Sequence, residues 1–198
     1  MTYAHDTRIL LPTNQPLEAK AQMKATIPAK YLAALSPFVA PEKDGRACLM
    51  GIHIKQGIAE ASDGHRLVRI EADDIECDDD IILALSTDQA RAVKARKSAD
   101  QVVTINGAFE LCETRSPARV IDATFPDLDR VIPADWVTDW FGNGGYNADY
   151  LGSFAGVAKT LGCSRGCVKL RPRGDGAMRV EFPAVMTKVV AAVMPMRI

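Results

Sequence analysis

The sequence has no apolar run approaching the length of about 20 residues that a membrane-spanning helix requires, and no targeting segment is visible. It also lacks a charge excess of either sign: 24 Lys and Arg against 25 Asp and Glu give a net charge of −1. No global basic surplus therefore announces nucleic acid, although a surface that meets a polyanion needs positive charge on one face only. The cysteine count, five, is odd, and without an export signal it argues for reduced thiols and a cytoplasmic location. Hydrophobic residues at 47% and charged residues at 25% are ordinary for a globular chain.

The chemistry of catalysis and of metal binding is absent too. Asp63 and His65 stand two apart around a turn, and no nucleophile accompanies them, so a hydrolase is not expected. Cys163 and Cys167 lack the histidine or second cysteine pair that zinc would need, and a turn through Ser164, Arg165 and Gly166 is the simpler account. The acidic stretch Glu71, Asp73, Asp74, Glu76, Asp78, Asp79, Asp80 has no calcium-loop spacing. It reads as a solvated connection that repels phosphates. No cofactor is expected.

What is present starts at the chain end, Val193-Met194-Pro195-Met196-Arg197-Ile198. Chain ends are usually polar and frayed unless something ties them down. Two readings stand side by side: a last strand that fills a core, or a pocket wall whose thioethers re-pack around varied apolar partners. A second stretch, Ser62-Asp63-Gly64-His65-Arg66-Leu67, carries the Asp-Gly signal of a tight hairpin.

From Met23 onward a unit of one helix and several strands recurs, with a period of roughly 60 residues. In the first copy Pro28 suits a helix start, and Leu32, Leu35 and Val39 give a buried stripe. Strands are expected around residues 47–54, 57–62 and 66–71. The second copy opens with a strand at 81–85. A capping box of Ser86 and Gln89 follows, with Leu85 as the staple residue. Arg91, Lys94 and Lys97 then share a helical face, with Arg96 beside them, and strands are expected near 101–105, 108–113 and 118–123. In the third copy Asn147 caps a helix striped by Leu151, Phe154, Ala158 and Leu161 and closed by Gly162. Strands near 167–171, 178–182 and 187–194 follow. Periodicity alone gives an α+β fold with internal repeats. Residues 1–22 show no clean period.

Three pieces together carry a resemblance. Ser62-Asp63-Gly64-His65-Arg66-Leu67, then Phe125-Pro126-Asp127-Leu128-Asp129-Arg130-Val131, then Val193-Met194-Pro195-Met196-Arg197-Ile198, in that order, resemble the bacterial DNA polymerase III beta subunit family, the sliding clamps. Ser62, Leu128, Asp129 and Ile198 depart from the family pattern. The resemblance implies a DNA-clamp fold of strand-helix-three-strand half-domain units, of which this chain has three. It divides the chain into an unassigned tail at 1–22, a complete domain at 23–132 similar to the clamp middle domain, a linker at 133–145 and a half domain at 146–198. The family's chain has six such units paired into three domains, so a shortened form is expected. Its third unit would leave Leu151, Phe154 and Leu161 half-exposed and drive association into a dimer or tetramer.

The same resemblance implies a non-catalytic processivity factor with two binding surfaces. The first is a peptide cleft comprising Leu49, Ser62, Gly64, His65, Arg66, Leu67, Pro126, Arg130, Val131, Val193, Met194, Pro195, Met196, Arg197 and Ile198. DNA polymerase and other replication proteins would dock a short apolar motif there. Asp129 would add a negative charge at its rim. The second is a DNA-facing set, Lys30, Arg91, Lys94, Arg96, Lys97 and Lys159, that would touch duplex phosphates without reading sequence. A solvated helix face is the alternative for these cations. A clamp loader and a homo-oligomeric ring belong to this reading. A non-encircling adaptor or decoy that keeps only the cleft is its competitor.

Overall fold

Pro28 ends the first strand, β1 (Lys24–Pro28), and its ring-locked φ of −56° sets the entry of helix α1 (Ala29–Leu35). The structure, a computed structural model, describes residues 23–97, 101–133, 145–171 and 176–196. Helix α1 is buried almost all round, at Ala29, Tyr31, Leu32, Ala33, Ala34 and Leu35. Such a helix must be covered on every side: it packs between helices α2 (Thr87–Ala95) and α3 (Ala148–Thr160). Ala33 and Ala34 are small enough to let those neighbours approach.

Local chemistry starts both outer helices. Ser86 Oγ accepts from Gln89 N at 3.2 Å while Gln89 Oε1 accepts from Ser86 N at 2.9 Å, a reciprocal capping box. Such a cap stabilises a helix by about 1 kcal/mol. Asn147 Oδ1 accepts from Asp149 N at 2.9 Å and Tyr150 N at 3.4 Å, and Gly162 at φ +107° closes α3.

The remaining strands are β2 (Ile52–Lys55), β3 (Ile58–Ser62), β4 (Arg66–Glu71), β5 (Glu76–Cys77), β6 (Ile81–Ala84), β7 (Val102–Asn106), β8 (Ala108–Leu111), β9 (Thr114–Pro117), β10 (Arg119–Val120), β11 (Lys169–Arg171), β12 (Met178–Glu181) and β13 (Lys188–Val193). They form a five-stranded sheet in the order β5-β1-β7-β8-β9 and an eight-stranded sheet in the order β10-β6-β2-β3-β4-β13-β12-β11. Residues 47–49, expected as strand, make a 3₁₀ turn instead.

The first strands of the first two units are exchanged. β1 precedes α1 yet pairs with β7, from Lys24↔Asn106 to Pro28↔Val102, while β6 precedes α2 yet pairs with β2, from Ile52↔Leu83 to Ile54↔Ile81. All four residues of β6 are buried, which suits a strand covered on both faces. Each sheet thus takes a strand from the other unit.

The third unit covers part of the apolar patch expected of it: Phe154 is buried, while Leu151 and Leu161 stay partly exposed. β13 pairs antiparallel with β4 over six positions, Lys188↔Glu71 to Val193↔Arg66, and so extends the sheet of the first unit. Phe154 is fully buried, its ring 5.5 Å from Phe38 and 6.4 Å edge-on from Phe182. Leu151 and Leu161 are half-buried against the same core. One hydrophobic cluster thus runs through all three helices and both sheets.

Candidate functional site

The turn between β3 and β4 is held by its own side chains. Asp63 Oδ1 accepts from His65 N at 2.9 Å and Arg66 N at 3.0 Å, while Ser62 Oγ accepts from Gly64 N at 3.0 Å and donates to Arg66 O at 3.1 Å. Gly64 sits at φ +85°, a left-handed conformation that suits glycine. Above it lies Arg46: a Cβ on Gly64 would come within 2.4 Å of Arg46 Nη1. Arg46 is fixed there by two bonds to Asp44, 2.5 and 2.8 Å, and one to Asp63 O at 3.0 Å. The Arg46 hydrogen bonds hold the Asp44 carboxyl below its ordinary range, against an opposing desolvation.

The chain end meets this hairpin directly. Met194 N donates to His65 O at 2.8 Å, continuing the β13–β4 pairing by one residue, and Met196 N donates to Gly145 O at 2.7 Å. A third wall comes from the 3₁₀ turn Leu128–Arg130, started by Asp127, whose Oδ1 accepts from Asp129 N at 3.0 Å. Leu128, Leu67 and Ala192, all nearly inaccessible, form a small cluster of their own that seats this wall on the sheet.

Between these elements lies a hollow of about 330 Å³. Leu49, Ser62, Gly64, Arg66, Leu67, Pro126, Val131 and Met194, all among the expected cleft residues, line it. Arg46, Cys48, Leu128 and Ala192 line it as well and were not expected. Leu128 lies inside the quoted 125–131 piece, and Ala192 shares a strand face with Met194 by the two-residue period; both were legible. Arg46 and Cys48 precede β2 and carried no local signal. A second, adjoining hollow of about 460 Å³ contains Arg130, and Val131 and Met194 border both. Met194 is 40% exposed and Val131 36%, so apolar surface stands open to solvent here.

Other expected cleft residues take different places. Val193 is fully buried in the core, Pro195 is half-buried, and Met196 stands 50% exposed beside Gly145. Arg197, Ile198 and residues 134–144 of the expected linker lie outside the described residues, as do residues 1–22. His65 offers its carbonyl to Met194 while its ring stacks on Tyr150 with centroids 5.8 Å apart. Arg66 is more committed than a rim residue: Nε reaches Asp63 at 2.9 Å, Nη2 reaches Pro37 O at 2.9 Å, and the guanidinium lies over Phe38 and Tyr150.

Asp129 is not a free rim charge. Arg69 Nη1 donates to it, and Arg69 Nε donates to Glu60 Oε2 at 2.6 Å. Glu60 Oε1 also bonds His53 Nδ1 at 2.9 Å, and His53 stacks on Phe125 at 4.7 Å. Burial pushes the Glu60 carboxyl upward, but the His53 and Arg69 hydrogen bonds outweigh it and hold it below its ordinary value.

On the helix layer, Lys94 and Lys97 flank a shallow groove floored by Ala33 and Ala34 of α1 and by Ser153, Gly156 and Val157 of α3. Lys30 stands one turn before Ala33 and Ala34 and carries its ammonium over the neighbouring Tyr31 ring at 5.3 Å. Arg91 is paired with Asp88 at 3.0 Å, which reduces its free charge. Arg96 caps α2 and is half-buried, and Lys159 is exposed with its stem beside Gly166.

No family model and no curated protein sequence matches the chain. Solved structures do. The Bartonella birtlesii DnaN sliding clamp (DNA polymerase III subunit beta) bound to griselimycin aligns at TM-score 0.66 and 16% identity, over 94% of this chain and 70% of that one. The beta sliding clamp of C. crescentus, with PEG bound, aligns at 0.64 and 16%, over 95% and 69%. A Pseudomonas aeruginosa sliding clamp with ligand aligns at 0.65 and 18%, over 95% and 70%. The two-sheet, three-helix architecture with its exchanged first strands is therefore the α+β fold of the DNA polymerase III beta sliding clamps.

Proposed function

We propose that this chain is a sliding-clamp-like, non-catalytic processivity factor that grips short apolar motifs of replication proteins in the hollow beside the 62–67 hairpin. The observation that carries this reading is the bond from Met194 N to His65 O, which brings the chain end and the hairpin together around an apolar hollow. Leu67, Leu128, Val131 and Met194 offer a floor and wall that suit a Leu or Phe side chain. The exposed thioether of Met194 adapts to more than one partner. The reading extends to duplex DNA, polymerase and loader as partners, and to a ring made of several chains in the cytoplasm.

Lys94 and Lys97 beside α1 and α3 support weak, sequence-independent contact with phosphates. The pairing of Arg91 with Asp88 thins the basic stripe. It favours the second reading, an adaptor or decoy that keeps the cleft without encircling DNA.

Fluorescence anisotropy with a labelled peptide bearing Gln followed by Leu and Phe tests the first claim. Met194→Lys is expected to weaken binding at least about tenfold without shifting thermal unfolding, since Met194 is 40% exposed. Equal affinity of the variant and the native chain overturns the cleft. Molar mass in solution, and retention on circular but not linear DNA, separate the ring from the adaptor.

A further inference from the structure

The turn after α3 does more than end a helix. Gly162 N donates to Lys159 O at 3.3 Å and Cys163 N donates to Ala158 O at 2.8 Å, the paired bonds of a glycine-closed helix end. That motif asks only for an apolar side chain at Cys163, and the residue is 6% exposed, as the motif requires. Its sulfur, however, is not surrounded by carbon alone. Gly166 N donates to Cys163 O at 2.9 Å and Gly166 takes φ +68°, which curls the chain back so that Cys167 N donates to Cys163 Sγ at 3.3 Å. A second thiol, exposed, is thus carried on the backbone that touches the first sulfur. The curl is tight: a Cβ on Gly166 would sit 3.2 Å from Ala155 O.

We propose that Cys163 and Cys167 form a peroxide-reactive dithiol that closes to an intramolecular disulfide. The Cys167 N–H on the Cys163 sulfur, helped by the Cys167 thiol, draws the Cys163 pKa down against the desolvation of its buried place, while Cys167 is raised as the donor. The Cys163 thiolate attacks one oxygen of hydrogen peroxide; the O–O bond breaks, hydroxide leaves, and a sulfenic acid forms at Cys163. Cys167 then loses its proton and attacks the Cys163 sulfur, and the sulfenic oxygen leaves as water. In sum, two thiols and one peroxide give one disulfide and two waters, the thiols being oxidised and the peroxide reduced. The other cysteines are placed differently: burial pushes Cys77 up to about 11, Cys48 lines the cleft, and Cys112 donates to Gln101 Oε1 at 2.8 Å. The bond would staple the end of α3 to the start of β11, independently of what the cleft binds.

Tryptic mapping reads this directly, because cleavage after Arg165 separates the two cysteines unless a disulfide joins them. The reduced full-length chain is exposed to hydrogen peroxide, quenched with N-ethylmaleimide and digested. The expected product is peptide 160–165 joined to peptide 166–169, formed about tenfold faster than Cys112 is consumed and reversed by dithiothreitol. Cys167→Ser, at an exposed position, keeps the native circular dichroism spectrum and accumulates a dimedone-reactive sulfenic acid at Cys163. Oxidation of Cys112 or Cys48 at an equal rate, disulfides between chains, or maleimide still found on both Cys163 and Cys167 overturns the proposal.

Discussion

Arg69, on a buried strand of the eight-stranded sheet, bonds Asp129 of the cleft wall, sixty residues away in sequence, and holds buried Glu60 with its other edge. The wall turn that carries Leu128 and Val131 is thereby tied to the sheet floor by a charge pair as well as by apolar contact. Removing either end has unequal consequences. Arg69→Met strands Glu60 in the interior without its cation and is expected to cost about 3–5 kcal/mol of stability, read by chemical denaturation. Asp129→Asn leaves Glu60 satisfied; it is expected to lower the unfolding midpoint far less than Arg69→Met and to weaken peptide binding about fivefold by loosening the wall. Unchanged affinity would refute the positioning role.

Acid should open the same network. Glu60 has its carboxyl pKa lowered by folding, so the sign follows from linkage: its contribution is present above the unfolded-state value and is lost as pH falls through the folded one. Asp129 and Asp44, lowered by Arg69 and Arg46, act in the same direction. Unfolding midpoints measured from neutral pH down through the carboxylate range should decline, and Glu60→Gln should decline with a shallower slope. A parallel slope in the variant would assign the acid sensitivity to other groups.

Two features disfavour a side chain at Gly64. Its φ of +85° costs a residue with a Cβ about 1–2 kcal/mol, and the added carbon would strike Arg46 at 2.4 Å. Gly64→Ala should lower the unfolding midpoint and free Arg46 from Asp63 O. Arg46→Ala in the same background removes the collision, so the double variant should lose less than the sum of the two single changes. Strict additivity would show that the contact carries no weight.

The helix-layer cations lend themselves to a salt test. Lys94→Glu with Lys97→Glu is expected to abolish retention on duplex DNA, and in the native chain the binding constant should fall steeply between low and physiological salt. Binding that ignores salt, or that survives the double reversal, would move the DNA contact elsewhere. Arg91→Ala should matter less, because Asp88 already offsets that charge.

The hollow beside the hairpin was largely legible because its parts are short and local. Ser62, Asp63 and Gly64 make their own turn through side-chain bonds spanning two to four residues, and the alternation of the last strand puts Ala192 and Met194 on one face. Arg46 was not legible, since nothing near it in sequence announces a guanidinium laid over a glycine eighteen residues on. The partner of Asp129 was not legible for the same reason: nothing near it in sequence points to Arg69, sixty residues earlier.

By itself the sequence determined the capped helices, the Asp-Gly hairpin and the repeat of one helix with its strands, because caps, turns and periods are settled within a few neighbouring residues. Only the tertiary structure decided that β1 and β6 change places, that β13 joins β4, and that Phe154 is buried against Phe38 and Phe182. Strand partners are chosen by which buried faces and open edges meet across long stretches of chain, and a period shared by three similar units does not say which edge meets which.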